Sequence, residues 1–238
     1  MLGLQMTTPI RDDPFAVLED ARIATVLRRL HGEANRQDLS IIRHFLPHVL
    51  SYVRQRFIPF AESEMAGFYA DKYIAIIESQ GAFAYLTARA LRARTVVEFG
   101  TSFGLSTLWL AAAVRANGGG RVVTTEIVPD KARVARRNFE EAGLADLIDV
   151  REGDALQSLA TDPADIDFLL NDGFPMRAID VVRLLTPRIR PGGVVLTDDV
   201  GGLRGNFNDY LAYMRDRANG FDSMLIPLKG GTEYSVRR

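Results

Sequence analysis

Apolar positions along the first third of the chain recur at helical spacing. From Pro14 to Leu30 they fall at Phe15, Leu18, Ile23, Leu27 and Leu30, which predicts a helix following about a dozen residues of frayed tail. Amphipathic segments at Ile41 to Tyr52, Phe60 to Ile77 and Gly81 to Leu91 extend the pattern, and no alternation strong enough to predict a strand interrupts it. Past Arg94 the pattern changes. Short apolar runs (TVVEF, RVVTTEI, LIDVRE, IDFLL, GVVLT) alternate with helical stretches, as expected of βαβ units forming a parallel sheet buried on both faces. Ser223 to Leu228 and Thr232 to Val236, on either side of Lys229, Gly230 and Gly231, predict an antiparallel pair at the sheet edge. The fold class expected is therefore α/β and doubly wound. Residues 1–80 form a helical extension serving as lid or dimer contact, and residues 81–238 form the ligand-binding domain.

Composition narrows the function. The 238 residues are 47% hydrophobic and 25% charged, an ordinary globular balance, and 29 basic against 30 acidic residues leave a net charge of -1. That balance lacks the positive field of a nucleic-acid binder. The opening MLGLQMTTPIRDDPF has no basic stretch leading into a long apolar one, and no later segment could span a bilayer, so a soluble, cytoplasmic protein is expected. With no cysteine, disulfides, thiolate zinc sites and thiol nucleophiles are excluded.

In an open α/β sheet the ligand lies beyond the carboxyl ends of the strands. The first strand runs into Glu98-Phe99-Gly100-Thr101-Ser102-Phe103-Gly104-Leu105-Ser106, where glycines permit a tight turn and the following helix offers free N–H groups. The spacing is not GxGxxG, and such a loop is often only a turn. Glu126 ends the second strand, 22 residues after Gly104, near the offset of about 20 at which an acid accepts hydrogen bonds from ribose hydroxyls. The fourth strand ends at Asn171-Asp172-Gly173 and the fifth at Asp198-Asp199, so three carboxylates gather at one sheet edge. They either bind a hard divalent cation such as Mg²⁺ or Ca²⁺, or cap the helices that follow.

The runs VVEFGTSFGLSTLWLAAA, GGGRVVTTEIVPDKARVARRNFEEAGL and VREGDALQSL, joined by LTPRIRPGGVVLTDDV and IPLKGGTEYSV, resemble the class I S-adenosylmethionine (SAM)-dependent methyltransferases. The subgroup resembled is that of the catechol and caffeoyl-CoA O-methyltransferases, over residues 80–238. The resemblance implies a mostly parallel seven-stranded Rossmann-like sheet. It also implies that Glu98, Gly100 and Ser106 hold the amino-acid end of SAM, with Thr101 and Gly104 in the same loop. Glu126 would take the ribose, and Asp154 with Ala155 the adenine. For Asp154 the residues themselves are neutral, since Gly-Asp before a helix is equally an N-cap. The family binds its metal through positions corresponding to Asp172, Asp198 and Asp199, the last an Asn in the family. Asp172 would then act in catalysis, the metal orienting two vicinal substrate oxygens and acidifying one.

The resemblance breaks at one residue. The family's lysine general base, three residues after the first metal Asp, is Pro175 here, which can neither take nor give a proton. Lys72, Arg177, His31, His44 and His48 are the replacements considered, none compelling: a helical histidine more often packs, and arginine stays protonated. Phe174 is expected to wall the acceptor pocket, while Phe68, Tyr69 and Tyr73 belong to a lid, a dimer interface or the core. The expected activity is divalent-metal-dependent O-methylation of a catechol-like or vicinally oxygenated small molecule by a homodimer, with no membrane partner. Three alternatives stay open: a metal-independent methyltransferase, a SAM-binding module without activity, and an NAD-dependent oxidoreductase.

Overall fold

The computed structural model describes residues 13–37, 46–58 and 67–238. The predicted tail and parts of the segments expected over 41–52 and 60–77 lie outside these residues.

Within them, the helix expected from Pro14 to Leu30 is two elements. Asp13 accepts the Phe15 N–H and caps a short 3-10 turn, Pro14–Val17. Asp20 accepts the Arg22 N–H at 2.8 Å and starts a new helix, α1 (Ala21–Asn35). Two capping carboxylates seven residues apart explain the division (20 − 13 = 7). A short helix α2 (Val49–Gln55) follows. Residues 71–77 are not helical: after a turn they run irregularly into α3 (Glu78–Ala90), with the Tyr73 N–H donating to Gln37 Oε1 instead of to a helical carbonyl.

The rest follows the βα alternation: β1 (Thr95–Phe99), α4 (Leu105–Ala116), β2 (Arg121–Glu126), α5 (Pro129–Ala142), β3 (Ile148–Glu152), α6 (Ala155–Ser158), β4 (Ile166–Asn171), α7 (Pro175–Leu185), β5 (Ile189–Thr197), α8 (Asn208–Arg215), β6 (Phe221–Ile226) and β7 (Thr232–Arg237). They build one seven-stranded sheet of order β3-β2-β1-β4-β5-β7-β6. β1 to β5 pair in parallel, and β7 runs antiparallel to both β5 and β6. The chain moves outward through β2 and β3, then returns to place β4 on the other side of β1. That reversal opens a crevice at the carboxyl ends of β1 and β4.

Strand alternation divides the core. Val96 of β1 packs with Leu108, Trp109 and Phe139 on one face, and Val97 packs with Val181, Val182 and Phe207 on the other. The N-terminal region shares the first core: α1 buries Ile23, Val26, Leu27 and Leu30, spaced i, i+3, i+4 and i+7, against α4 and α5. Arg22 of α1 adds donors to the carbonyls of Glu140 (3.0 Å) and Glu141 (2.6 Å), placing a cation on the carboxyl end of α5.

Candidate active site

Along the crevice lies a cavity of about 500 Å³, lined by Gly100, Ser102, Glu126, Asp154 and Ala155 and also by Asp172, Asp198 and Asp199. Seven of the sequence-predicted site residues, all of these except Ser102, thus share one space. Glu98, Thr101, Gly104 and Ser106 do not line it; they sit in the layer behind the loop.

That layer determines the loop's shape. Glu98 is fully buried and accepts hydrogen bonds from the hydroxyls of Thr107 and Thr124. Burial raises its proton affinity, and the Ser106, Thr107 and Thr124 hydroxyls oppose the rise. Thr101 Oγ1 meets Thr124 Oγ1 at 2.5 Å, fastening the loop to β2. At Gly100, φ is +104°, and a Cβ would come within 2.7 Å of the Asp172 carbonyl, so only glycine lets β1 and β4 end this close together. Ser102 has the left-handed φ of +49°, stabilised by its N–H donating to Glu126 Oε2 at 2.7 Å. With Val128 N–H on Oε1 at 2.9 Å, both oxygens of Glu126 are oriented by backbone, and the carboxylate lines the cavity. Burial raises the Glu126 pKa against these bonds. Asp154 does cap α6, accepting the Leu156 N–H at 2.8 Å, and it lines the cavity as well.

Asp172, Asp198 and Asp199 act on one another. Burial, then the charges of Asp198, Asp199 and Glu98, raise Asp172 well above the ordinary carboxylate range. Burial, then Asp199, push Asp198 up to about 7. Asp199 sits at the mouth with φ +55° and its Oδ1 against Gly230. Confinement there raises its proton affinity, and the Lys229 ammonium opposes the rise. Asp198 Oδ1 is occupied: it accepts hydrogen bonds from Gln80 Nε2 and, at 3.2 Å, from Thr232 Oγ1. Among the described residues no three His, Cys, Asp or Glu side chains converge as a ready-made metal cluster.

Of the replacement bases among the described residues, Arg177 alone lines the cavity, from the first turn of α7. His31 is buried and does not line the cavity, its Nε2 accepting the Trp109 indole N–H at 3.2 Å. Lys72 donates to Asp71 and to the Phe68 carbonyl. His48 precedes α2 away from the cavity, and His44 lies outside the described residues. Pro175 is the first residue of α7, where its fixed φ starts the turn. Phe174, Tyr69 and Tyr73 are walls, joined by Ile58, Leu203 and Phe207. Phe68 packs on Tyr69 with ring centroids 4.8 Å apart.

Polar residues in or beside the site that escaped the sequence reading include Lys131, Lys229 and Gln80. Lys131 is buried, lines the cavity, donates to Ser102 Oγ at 3.3 Å and lies over the Phe103 ring. Burial pushes its pKa down to about 8, opposed by Glu126. A signal was present, since a lysine third in a helix opposes the positive end of the helix dipole and needs a local anion. Lys229 and Gln80 had no such mark.

The family described as "Methyltransferase domain" matches residues 97–200. The catechol O-methyltransferase of Mycobacterium tuberculosis (strain ATCC 25618 / H37Rv) is 39% identical over 142 residues, covering 57% of this chain and 63% of that protein, so the match spans just under two thirds of its length. The catechol O-methyltransferase of Niastella koreensis is 30% identical over 173 residues, covering 70% of this chain and 75% of its own. Among solved structures, cofactor-bound Rv0187 from MTB superposes with a TM-score of 0.65 at 29% identity, covering 81% of this chain and 97% of that one. The O-methyltransferase from Bacillus cereus in complex with SAH superposes with a TM-score of 0.64 at 26% identity, covering 80% and 97%.

Proposed function

The chain belongs to the class I SAM-dependent O-methyltransferases, and from that premise we propose that it methylates a hydroxyl of a small molecule bearing vicinal oxygens, with a divalent cation held by Asp172, Asp198 and Asp199. One observation carries the reading: a single cavity is lined both by Glu126, its two oxygens oriented by backbone N–H groups, and by three carboxylates that disfavour one another's ionisation. An all-oxygen, mutually repulsive donor set suits Mg²⁺, whose remaining positions acceptor oxygens would fill. When bound, such a cation lowers the pKa of an acceptor hydroxyl, and SAM supplies the electrophilic methyl.

The chain's own part is positional. Glu126 accepts from the ribose hydroxyls, Gly100 and Ser102 bring backbone close to the methionine end, and Asp154 with Ala155 flank the adenine. Glu98, Thr101, Gly104 and Ser106 support that loop from behind. Tyr69, Phe174, Leu203 and Phe207 exclude water around the acceptor, so that the nucleophilic oxygen approaches the methyl in line. With SAM bound, the oxygen would form its bond to the methyl carbon as the carbon–sulfur bond breaks, leaving SAH, and the hydroxyl proton would pass to the carboxylate edge or out to solvent.

A second reading is metal-free, favoured by the donors already on Asp198 and by Lys229 facing Asp199. There the carboxylate edge itself takes the hydroxyl proton that Pro175 cannot. Calorimetric titration of Mg²⁺ into the SAM-loaded protein separates the two. Saturable binding lost in Asp172→Ala, with methyl transfer to catechol abolished by chelator, supports the metal; transfer unaffected by chelator overturns it. No described helix is long and apolar enough to cross a membrane. The reading includes a cytoplasmic homodimer, for which the exposed Leu50 and Val53 of α2 are available and which light scattering tests.

A further inference from the structure

Gln80 lies outside the cavity wall yet touches three of the segments that shape its acceptor end. It is third in α3 and only 6% exposed. Its Oε1 accepts the Ile77 N–H at 3.0 Å, which caps the helix start. Because that partner can only donate, the amide orientation is decided, and Nε2 must face the other way. There it meets acceptors: Asp198 Oδ1, the Lys229 carbonyl at 3.0 Å and Thr232 Oγ1 at 3.3 Å. One side chain thus joins the start of α3, the end of β5 and the turn between β6 and β7. Asp198 Oδ1 receives Gln80 and Thr232 together, which fixes the rotation of a carboxylate that lines the cavity.

We infer that Gln80 is a positioning residue for the acceptor end of the site, holding the Asp198 carboxylate in one orientation and the Lys229 turn at the mouth. The inference rests on the carboxylate-edge reading above. An amide suits the role because it supplies donors without charge; a lysine there would neutralise the edge, and a carboxylate would repel it.

The competing explanation is that Gln80 only caps α3, and two substitutions separate the roles. Gln80→Met removes cap and clamp at similar volume. Ile77→Pro removes only the capped N–H, at a φ of -76° that proline accepts, and leaves the amide on Asp198. In crystal structures of the SAM-loaded proteins, Gln80→Met is expected to show the Asp198 carboxylate rotated and Ile77→Pro to show it in place. By calorimetry Mg²⁺ should bind Gln80→Met about tenfold more weakly, with SAM affinity within about twofold, and Ile77→Pro should match the unaltered protein. An unmoved Asp198 in Gln80→Met, or the same loss in Ile77→Pro, overturns the inference.

Should the unaltered protein bind no Mg²⁺, the metal reading fails separately. The role of Gln80 is then decided by the Asp198 position and by KM against kcat for catechol: displacement with raised KM supports it, and neither change overturns it. If Gln80→Met does not fold, Thr232→Val removes the second donor from the same oxygen, and with it the 3.3 Å acceptor of Gln80, while the Ile77 cap of α3 stays in place. The same rotation and a loss of about threefold in Mg²⁺ affinity are expected, and their absence counts against the clamp.

Discussion

His31 and Asp198 are both ionisable groups taken out of water, one under the N-terminal helix and one at the carboxyl edge of the sheet, and they have opposite consequences. His31 is enclosed by Phe15 and Trp109, with Glu78 Oε1 3.9 Å from its Nδ1, and no described cavity adjoins it. Burial pushes its pKa down to about 4 against the pull of Glu78, so it is neutral, with Nε2 the acceptor that Trp109 needs. Asp198 is pushed the other way, up to about 7, among other carboxylates and beside open volume. Perturbation of a pKa therefore does not by itself mark a functional group. What separates the two is company: His31 is satisfied by an aromatic wall, whereas Asp198 shares a cavity with like charges.

The two regions should come apart most clearly when the glycine beside each is altered. A Cβ on Gly81 would land inside the Trp109 indole, so Gly81→Ala should cost about 3 kcal/mol or more in urea unfolding while the carboxylate edge keeps its composition. Gly100→Ala, at φ +104° and against the Asp172 carbonyl, should cost about 1–3 kcal/mol and also weaken SAM binding about tenfold by calorimetry. Equal SAM affinity in the two variants would contradict the separation into a packing face and a site.

Next in size is the pH dependence of stability. For His31 the folded pKa of about 4 lies below the ordinary 6.5, so the unfolded chain binds the extra proton. Stability is complete above about 6.5 and declines toward 4, by on the order of 3 kcal/mol. His31→Gln should flatten that acid limb in denaturant melts. For Asp198 the folded pKa of about 7 lies above 3.8, so the folded chain binds the extra proton and the ligand-free protein loses stability as pH rises between these values. Asp198→Asn should lessen that decline, to which Asp172 and Asp199 also contribute, and leave the His31 limb intact. A variant that alters both limbs would show the regions to be coupled.

The smallest effect belongs to Lys131. Lys131→Met leaves Glu126 held by its two backbone donors but removes the ammonium beside it, and a loss of about threefold in SAM affinity is expected at neutral pH. An unchanged affinity would reduce Lys131 to packing on Phe103.

Much of this was legible in the residues. The switch from helical to strand periodicity at Arg94, the glycine loop, the offset of Glu126 and the acids ending β4 and β5 all report local chemistry, and the structure brings Gly100, Glu126, Asp172, Asp198 and Asp199 to one cavity. Glu98, Thr101 and Ser106 are buried because they bond to one another's neighbours and to β2 behind the loop, contacts that sequence spacing does not reveal. The region before α3 misled more: 71–77 has an apolar content that a helix could use, yet Tyr73, Ile74 and Ala75 serve as a cavity wall in irregular backbone.

The order of amino acids is enough to set the βα alternation, the antiparallel close around Lys229, Gly230 and Gly231 and the near-neutral overall charge, because each follows from the residues themselves. Folding in three dimensions is needed before Gln80 reaches Asp198 across 118 residues, Lys131 tucks beneath Ser102, His31 falls silent against Trp109 and Thr232 joins Gln80 on one oxygen of Asp198. Hydrogen bonds between distant segments depend on where the sheet and its covering helices bring them, and sequence spacing carries no record of that.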